Sequence, residues 1–288
     1  MATAATLHGP DLATRQPSFK LPPGACDCHA HVFGPFDQFP LPPNPTYKPP
    51  LAPLSEYVRM LRRIGCSNAV LVQPSSYGTD NSALVAALKS GEFSLRGIAL
   101  IDDATTYHQM EEMHFAGVVG IRRHLMSDTA KQVLASLPEL ATRIKPFGWH
   151  LQFYLDATQH PDLEQHLAKL PVPVVIDHFG LVPAAAGINS PGFQTLLRCV
   201  RSGRCWVKLS APCRVSAQGP RFTDVTPLAR ALLEAAPDYC LWGTDWPHPN
   251  VNFVSNEGDL VDLLPEWIPD ETLRRKVLVE NPARLYSF

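Results

Sequence analysis

Eight short runs of apolar and β-branched residues, separated by amphipathic stretches, constrain this chain more than any other feature of its sequence. They fall at 26–31 (CDCHAH), 68–73 (NAVLVQ), 95–101 (LRGIALI), 117–123 (GVVGIRR), 149–155 (WHLQFYL), 173–178 (PVVIDH), 205–210 (CWVKLS) and 239–245 (YCLWGTD). Strands alternating with helical stretches build parallel βαβ units. Several of the runs are almost continuously apolar, as strands covered on both faces are. A count of eight selects a closed barrel over an open sheet, and 288 residues suit one such unit. The fold expected is α/β, a single (β/α)8 TIM barrel over 25–288, preceded by a poorly ordered Ala/Pro-rich arm over 1–24.

The segments between the runs carry helix signals. Leu54, Val58 and Leu61 recur at helical spacing. Asp80 is a candidate cap for the next helix, and Gly91 follows its end. Ser190 before Pro191 and Thr226 before Pro227 set a capping hydroxyl ahead of a first-turn proline. The proline-rich stretch 35–53 forbids regular helix or central strand and reads as a long loop.

Composition narrows the function classes. A net charge of −2 gives no general attraction to nucleic acid or to an anionic membrane. No run reaches the length of a transmembrane helix, and residues 1–20 lack the basic and apolar regions of a signal peptide. A cytoplasmic location is the expectation that follows. Seven cysteines, an odd number without a Cys-x-x-Cys pair, read as free thiols. Glycine-rich nucleotide loops are missing, and the sequence sets no oligomeric state.

In a parallel barrel the C-terminal ends of all strands open onto one face, where residues distant in sequence converge. The first run ends His29-Ala30-His31, the sixth Asp177-His178 and the eighth Thr244-Asp245. Two histidines one residue apart on a strand share a face and can hold one metal ion or one substrate oxygen. Each residue alone has an ordinary structural reading. Their arrival on one rim points to a reaction centre made of His29, His31, His178 and Asp245.

At these residues the chain resembles a known family. The segments CDCHAHVFGP, VVIDHFG, LWGTDWPHPN and ENPARLYSF are similar to the amidohydrolase-2 branch of the amidohydrolase superfamily, and within it to the 2-pyrone-4,6-dicarboxylate lactonases. The resemblance covers 24–288 and implies a metal-dependent-hydrolase type of barrel. It implies that His29 and His31 form the His-x-His pair, with His178 the strand-six histidine and Asp245 the strand-eight aspartate. GVVGIRR on strand four lacks the superfamily's bridging lysine, and strand five carries Gln152 and Tyr154 where many members have a histidine. One metal ion or none is therefore implied, rather than two. The lactonases work without metal, so no required cofactor is the favoured expectation. The alternative is a single divalent ion such as zinc on His29, His31, His178 and Asp245.

Substrate charge has its own signal. Arg122 and Arg214 stand where guanidinium groups can hold carboxylates. Adjacent strand residues point oppositely, so at most one of Arg122 and Arg123 faces the site squarely, and the resemblance implies Arg122, which matches the family's first strand-four arginine. A second arginine expected from the lactonase pattern beyond Arg122 is missing from His124-Leu125-Met126-Ser127-Asp128. Ser75, Tyr47, Tyr154 and Asn250 are candidate neutral donors, and His248 is a candidate for the mouth. The leading expectation is a hydrolase opening a small carboxylated lactone by water attack on the ring carbonyl, with Asp245 as general base and the histidines polarising the carbonyl. The alternatives are a zinc-dependent decarboxylase of an aromatic or enoic acid, a sugar-acid lactone isomerase or lactonase, and a non-catalytic barrel that binds carboxylates. No nucleic-acid or membrane partner is expected.

Overall fold

A computed structural model of the chain describes residues 9–126, 130–249, 251 and 255–288. Eight parallel strands follow one another around a single sheet: β1 Cys26–Ala30, β2 Asn68–Val72, β3 Ser94–Ala99, β4 Val118–Leu125, β5 His150–Leu155, β6 Val174–Ile176, β7 Cys205–Ser210 and β8 Cys240–Gly243. The sheet closes where Ala30 bridges Trp246 in parallel, with the His31 amide donating to the Trp246 carbonyl at 2.7 Å. The chain is a (β/α)8 TIM barrel. Among the described residues, no helix is long and apolar enough to cross a membrane.

The outer helices are α1 Leu54–Ile64, α2 Ser82–Lys89, α3 Tyr107–Ala116, α4 Ala130–Ile144, α5 Leu163–Leu167, α6 Pro191–Arg201, α7 Thr226–Ala235 and α8 Glu257–Asp262, with shorter helices after them. Ser190 caps α6 by accepting from the Phe193 amide, as its position before Pro191 predicts. Asp80 accepts from the Ser82 amide at 3.0 Å, although Asn81 is the residue at the boundary of α2. Thr226 departs from the expected cap. It is already helical, and its hydroxyl donates to Glu266 at 2.8 Å.

Two apolar layers alternate along the strands. Outward residues such as Ala69, Leu71, Val174, Ile176, Val207 and Leu209 pack beneath the helices. Inward residues Cys26, Cys28, Val70, Val72, Ile98, Val175, Trp206 and Leu241 fill the lower barrel, closed by Tyr286. All seven cysteines are free thiols, as their odd number implies.

The proline-rich stretch doubles back through a two-way backbone pairing of Phe33 with Ala52, at 2.8 and 3.0 Å, and brings Thr46 and Tyr47 to the barrel mouth. From residue 9 the leading segment lies against α8 rather than running loose. The Arg15 amide donates to Asn256, and its guanidinium pairs with Asp259 and Asp262.

Candidate active site

The first strand places its histidines through an irregularity. Side chains two apart share a strand face, so Cys26 and Cys28 in the inner layer would send His29 outward. The register of β1 against β2 shifts between Asp27 and Ala30, and after the shift His29 and His31 both face the barrel interior. A bulge re-aims side chains in this way beside functional sites.

Asp27, buried at the β1–β8 seam, holds the result in place. It accepts from the Thr244 amide at 2.8 Å and the Thr244 hydroxyl at 2.6 Å. The His29 amide and the Tyr57 hydroxyl also donate to it, at 3.2 and 2.9 Å. Gly243 must lack a side chain here, because a Cβ would lie 2.8 Å from the His29 backbone nitrogen.

His178 and Asp245 each sit two residues beyond strands that end sooner than the sequence runs suggest. Both have left-handed backbone, φ 50° and 65°, which removes them from β pairing. Non-glycine residues in this region cost of order 1–3 kcal/mol and persist where the surroundings fix them. Here the Asp245 amide donates to the His29 carbonyl at 2.8 Å, and its carbonyl accepts from the His248 amide at 2.7 Å.

All four expected residues converge. His29 Nε2 and His31 Nε2 are 3.3 Å apart. Asp245 Oδ1 lies 3.6 Å from each and 3.5 Å from His178 Nε2. Among the described residues, Asp245 Oδ1 is buried without a hydrogen-bond partner, whereas Oδ2 accepts from Arg214 Nε at 2.9 Å and Nη2 at 2.8 Å. Burial pushes the Asp245 carboxyl upward, but Arg214 and the histidines outweigh it and hold it well below the usual carboxylate range. Burial pushes His29 and His31 below the ordinary imidazole value and His178 down to about 3. The centre is thus an ionised carboxylate among neutral imidazoles.

A tetrahedral zinc with bonds of about 2.0–2.1 Å has ligand atoms about 3.3–3.4 Å apart. The spacings above match that frame closely, and an orphaned carboxylate oxygen at its corner suits a cation. Among the described residues, His29, His31 and Asp245 therefore fit one divalent ion, with His178 Nε2 beside the same carboxylate oxygen.

A second polar layer lies beneath. Asp177, Lys208 and Gln152 are fully buried. Lys208 Nζ is 2.7 Å from Gln152 Oε1, 3.2 Å from His29 Nδ1 and 3.4 Å from Asp177 Oδ1. Asp177 Oδ2 accepts from Gln152 Nε2 at 3.2 Å and pairs with Arg122 Nη2 at 3.2 Å. Sequence reasoning gave no role to Asp177 or Lys208. A signal existed, since Trp206, Lys208 and Ser210 occupy alternate positions of one strand and a lysine there enters the barrel.

The centre opens onto a cavity of about 300 Å³ lined by His31, Tyr47, Ser75, Arg122, Tyr154 and Arg214, among others. Arg122 faces this cavity with its guanidinium over the Tyr154 ring, while Arg123 turns away to the Ile101 carbonyl. Arg122 Nε is buried without a hydrogen-bond partner among the described residues. Arg214 differs from its expected use, because Nε and Nη2 are engaged by Asp245 and the Pro249 carbonyl. His124 and Thr46 also line the cavity and were not anticipated. His248 is buried and pairs with Glu257 at 3.1 Å rather than lining the mouth. Asn250 lies outside the described residues. A groove of about 640 Å³ between α2 and α3 is larger but holds no histidine and no buried charge.

Comparison with known proteins bears on this geometry. The chain is 38% identical to the 2-pyrone-4,6-dicarboxylate hydrolase of Comamonas testosteroni, over 94% of this chain and 92% of that protein. It is 36% identical to the 4-sulfomuconolactone hydrolase of Hydrogenophaga intermedia, over 93% and 90% of the two chains. An apo crystal structure from Agrobacterium tumefaciens superposes with a TM-score of 0.84 at 27% identity, covering 94% of this chain and 98% of that one. The profile of the amidohydrolase family matches residues 26–288, from the first residue of β1 to the C-terminal helix, and the chain belongs to that family.

Proposed function

We propose that this enzyme hydrolyses a small carboxylated lactone of the 2-pyrone-4,6-dicarboxylate type, with Asp245 as general base. The observation that carries the reading is the divided Asp245 carboxylate: Oδ2 is fixed by Arg214, while Oδ1 is unpaired, buried and turned toward three imidazoles. Such an oxygen can orient a water and take its proton as the water attacks a carbonyl carbon. Its depressed pKa keeps it ionised across the working range, at the cost of basicity. Both named relatives act on lactones bearing acidic groups, which supports the substrate class.

The imidazoles divide by the partner each one has. His31 Nδ1 lies 2.7 Å from the Val72 carbonyl, which only accepts, so the neutral ring carries its proton there. Its Nε2 therefore presents a lone pair and cannot polarise a carbonyl. That role falls to His29 and His178, whose Nε2–H groups would stabilise the developing oxyanion. When bound, a divalent ion on His29, His31 and Asp245 would supply Lewis acidity at the same carbonyl. Arg122, with Nε unpaired and Nη2 steadied by Asp177, is the group for the substrate carboxylate, with Ser75, Tyr47, Tyr154 and Asn250 as neutral donors.

The test is ultraviolet-monitored ring opening over a panel of pyrone, muconolactone and aldonolactone acids, with metal analysis of the same sample. Turnover of a carboxylated lactone is expected; no turnover across the panel would sink the proposal.

A further inference from the structure

Lys208 is buried inside the barrel among three acceptors: Gln152 Oε1, His29 Nδ1 and Asp177 Oδ1, at 2.7, 3.2 and 3.4 Å. An ammonium group has three N–H donors and no acceptor, so it can donate to Gln152 and His29 and pair by charge with Asp177. Gln152 is oriented by the same logic, since its amide nitrogen donates to Asp177 Oδ2 at 3.2 Å and leaves its oxygen for Lys208. At the other end His31 must donate from Nδ1 to the Val72 carbonyl, which makes His31 Nε2 an acceptor. Between the two ends stands His29, with Nδ1 facing Lys208 and Nε2 facing His31 Nε2 at 3.3 Å. Only one neutral tautomer of His29 satisfies Lys208 and His31 together, with Nδ1 bare and the proton on Nε2; the other would serve Asp177 Oδ1, 3.2 Å from the same nitrogen.

We infer that Lys208 is a positioning residue that holds His29 as an Nε2–H donor, completing a one-way hydrogen-bond chain from Lys208 through His29 and His31 to the Val72 carbonyl. The inference deepens the reading above, in which His29 donates to the ring carbonyl. It also has a consequence for metal. An ion on His29 Nε2 needs the opposite tautomer, with Nδ1–H given to an acceptor, and Asp177 Oδ1 waits 3.2 Å away for that purpose. Asp177 Oδ1 has no hydrogen-bond partner of its own. Lys208 and Asp177 thus compete for one nitrogen, and Lys208 tilts His29 from ligand toward donor.

The experiment uses full-length protein as purified, labelled with 15N-histidine, in which bare and protonated ring nitrogens resonate far apart. The His29 signals are assigned by their loss in His29→Gln. In the wild type, a bare Nδ1 and a protonated Nε2 are expected; a protonated Nδ1, or stoichiometric zinc on the protein as purified, overturns the inference. In Lys208→Met the proton is expected to move to Nδ1, and calorimetric titration with zinc chloride is expected to show at least tenfold tighter binding than the wild type. An unmoved proton or unchanged zinc affinity in a folded variant overturns it equally. If Lys208→Met does not fold, the wild-type spectrum still decides. Neither readout involves a lactone, so the tautomer can fail while hydrolysis stands, and hydrolysis can fail while the tautomer stands.

Discussion

The lower and upper halves of the barrel interior are built by the same strands and differ in nearly everything else. Below, Val70, Val72, Ile98, Val175, Trp206 and Leu241 form an apolar plug with Tyr286 beneath it. Above, two residues further along the strands, stand Asp177, Lys208, Gln152, His29 and Arg122, almost all without access to water. Burying apolar groups stabilises each by about 1.5–3 kcal/mol, while buried charges must be paired merely to break even. The lower half therefore holds the barrel together, and the upper half spends part of that stability on fixed charges and left-handed backbone. The contrast teaches that position along a barrel strand, more than residue type, separates stability from chemistry.

The largest effect that would sharpen this contrast is expected from Asp245→Asn. The amide keeps the shape of the side chain but cannot take a proton from water, so kcat should fall roughly 10²–10⁴-fold with KM little changed, and the melting temperature should fall too because Arg214 loses its charged partner. Near wild-type kcat in this variant would move the base elsewhere, with His31 Nε2 the next candidate.

In the lower half the signs should reverse. Leu241→Ala removes a fully buried side chain from the plug, and unfolding free energy measured in urea should drop by about 2–5 kcal/mol. Its kcat at moderate temperature should stay within about twofold of wild type, because no group of the centre is touched. A large loss of kcat without loss of stability would break the division into halves.

A smaller effect belongs to the cavity wall. Arg122→Met should cost about 1.5–3 kcal/mol of substrate binding, seen as a raised KM with kcat less affected. An unchanged KM would remove Arg122 from anion binding.

The smallest expected effect is a displaced pH profile. Arg214 is the largest influence holding the Asp245 carboxyl down against its burial. Ionised Asp245 is the competent form, so its depressed pKa leaves wild-type activity flat through the mildly acidic range. In Arg214→Met the pKa rises, and activity is lost at higher pH on acidification. The ratio of kcat/KM at about pH 5 to that at about pH 7.5 should fall in the variant relative to wild type. Superimposable profiles would show that Arg214 does not tune the base.

The alternation of apolar runs made the barrel legible, because eight buried strands leave little freedom in how a sheet can close. Strand ends were less legible: β6 and β8 stop early where His178 and Asp245 take up positive φ, which only tertiary contacts impose. The convergence of His29, His31, His178 and Asp245 was legible because residue type and strand position agreed. The shift in β1 that turns the two histidines inward leaves no trace in composition. Arg214 was recognised as a cation of the mouth, yet its carboxylate partner is Asp245, 31 residues away on another loop. That pairing depends on how two loops meet, and no local pattern encodes it.

The seam between β1 and β8 has a consequence for the order in which the molecule comes into being. His29 and His31 emerge early in synthesis, whereas Asp245 and the Trp246 carbonyl that receives the His31 amide arrive some two hundred residues later. A nascent chain is made from its N-terminal end, whereas a single domain folds as a unit. Until the last strand docks, Asp27 has neither Thr244 donor, His29 lacks the carboxylate it will face, and the barrel stays open to water. Ring closure and assembly of the proposed reaction centre are thus a single event, so an open barrel brings only part of the cluster together.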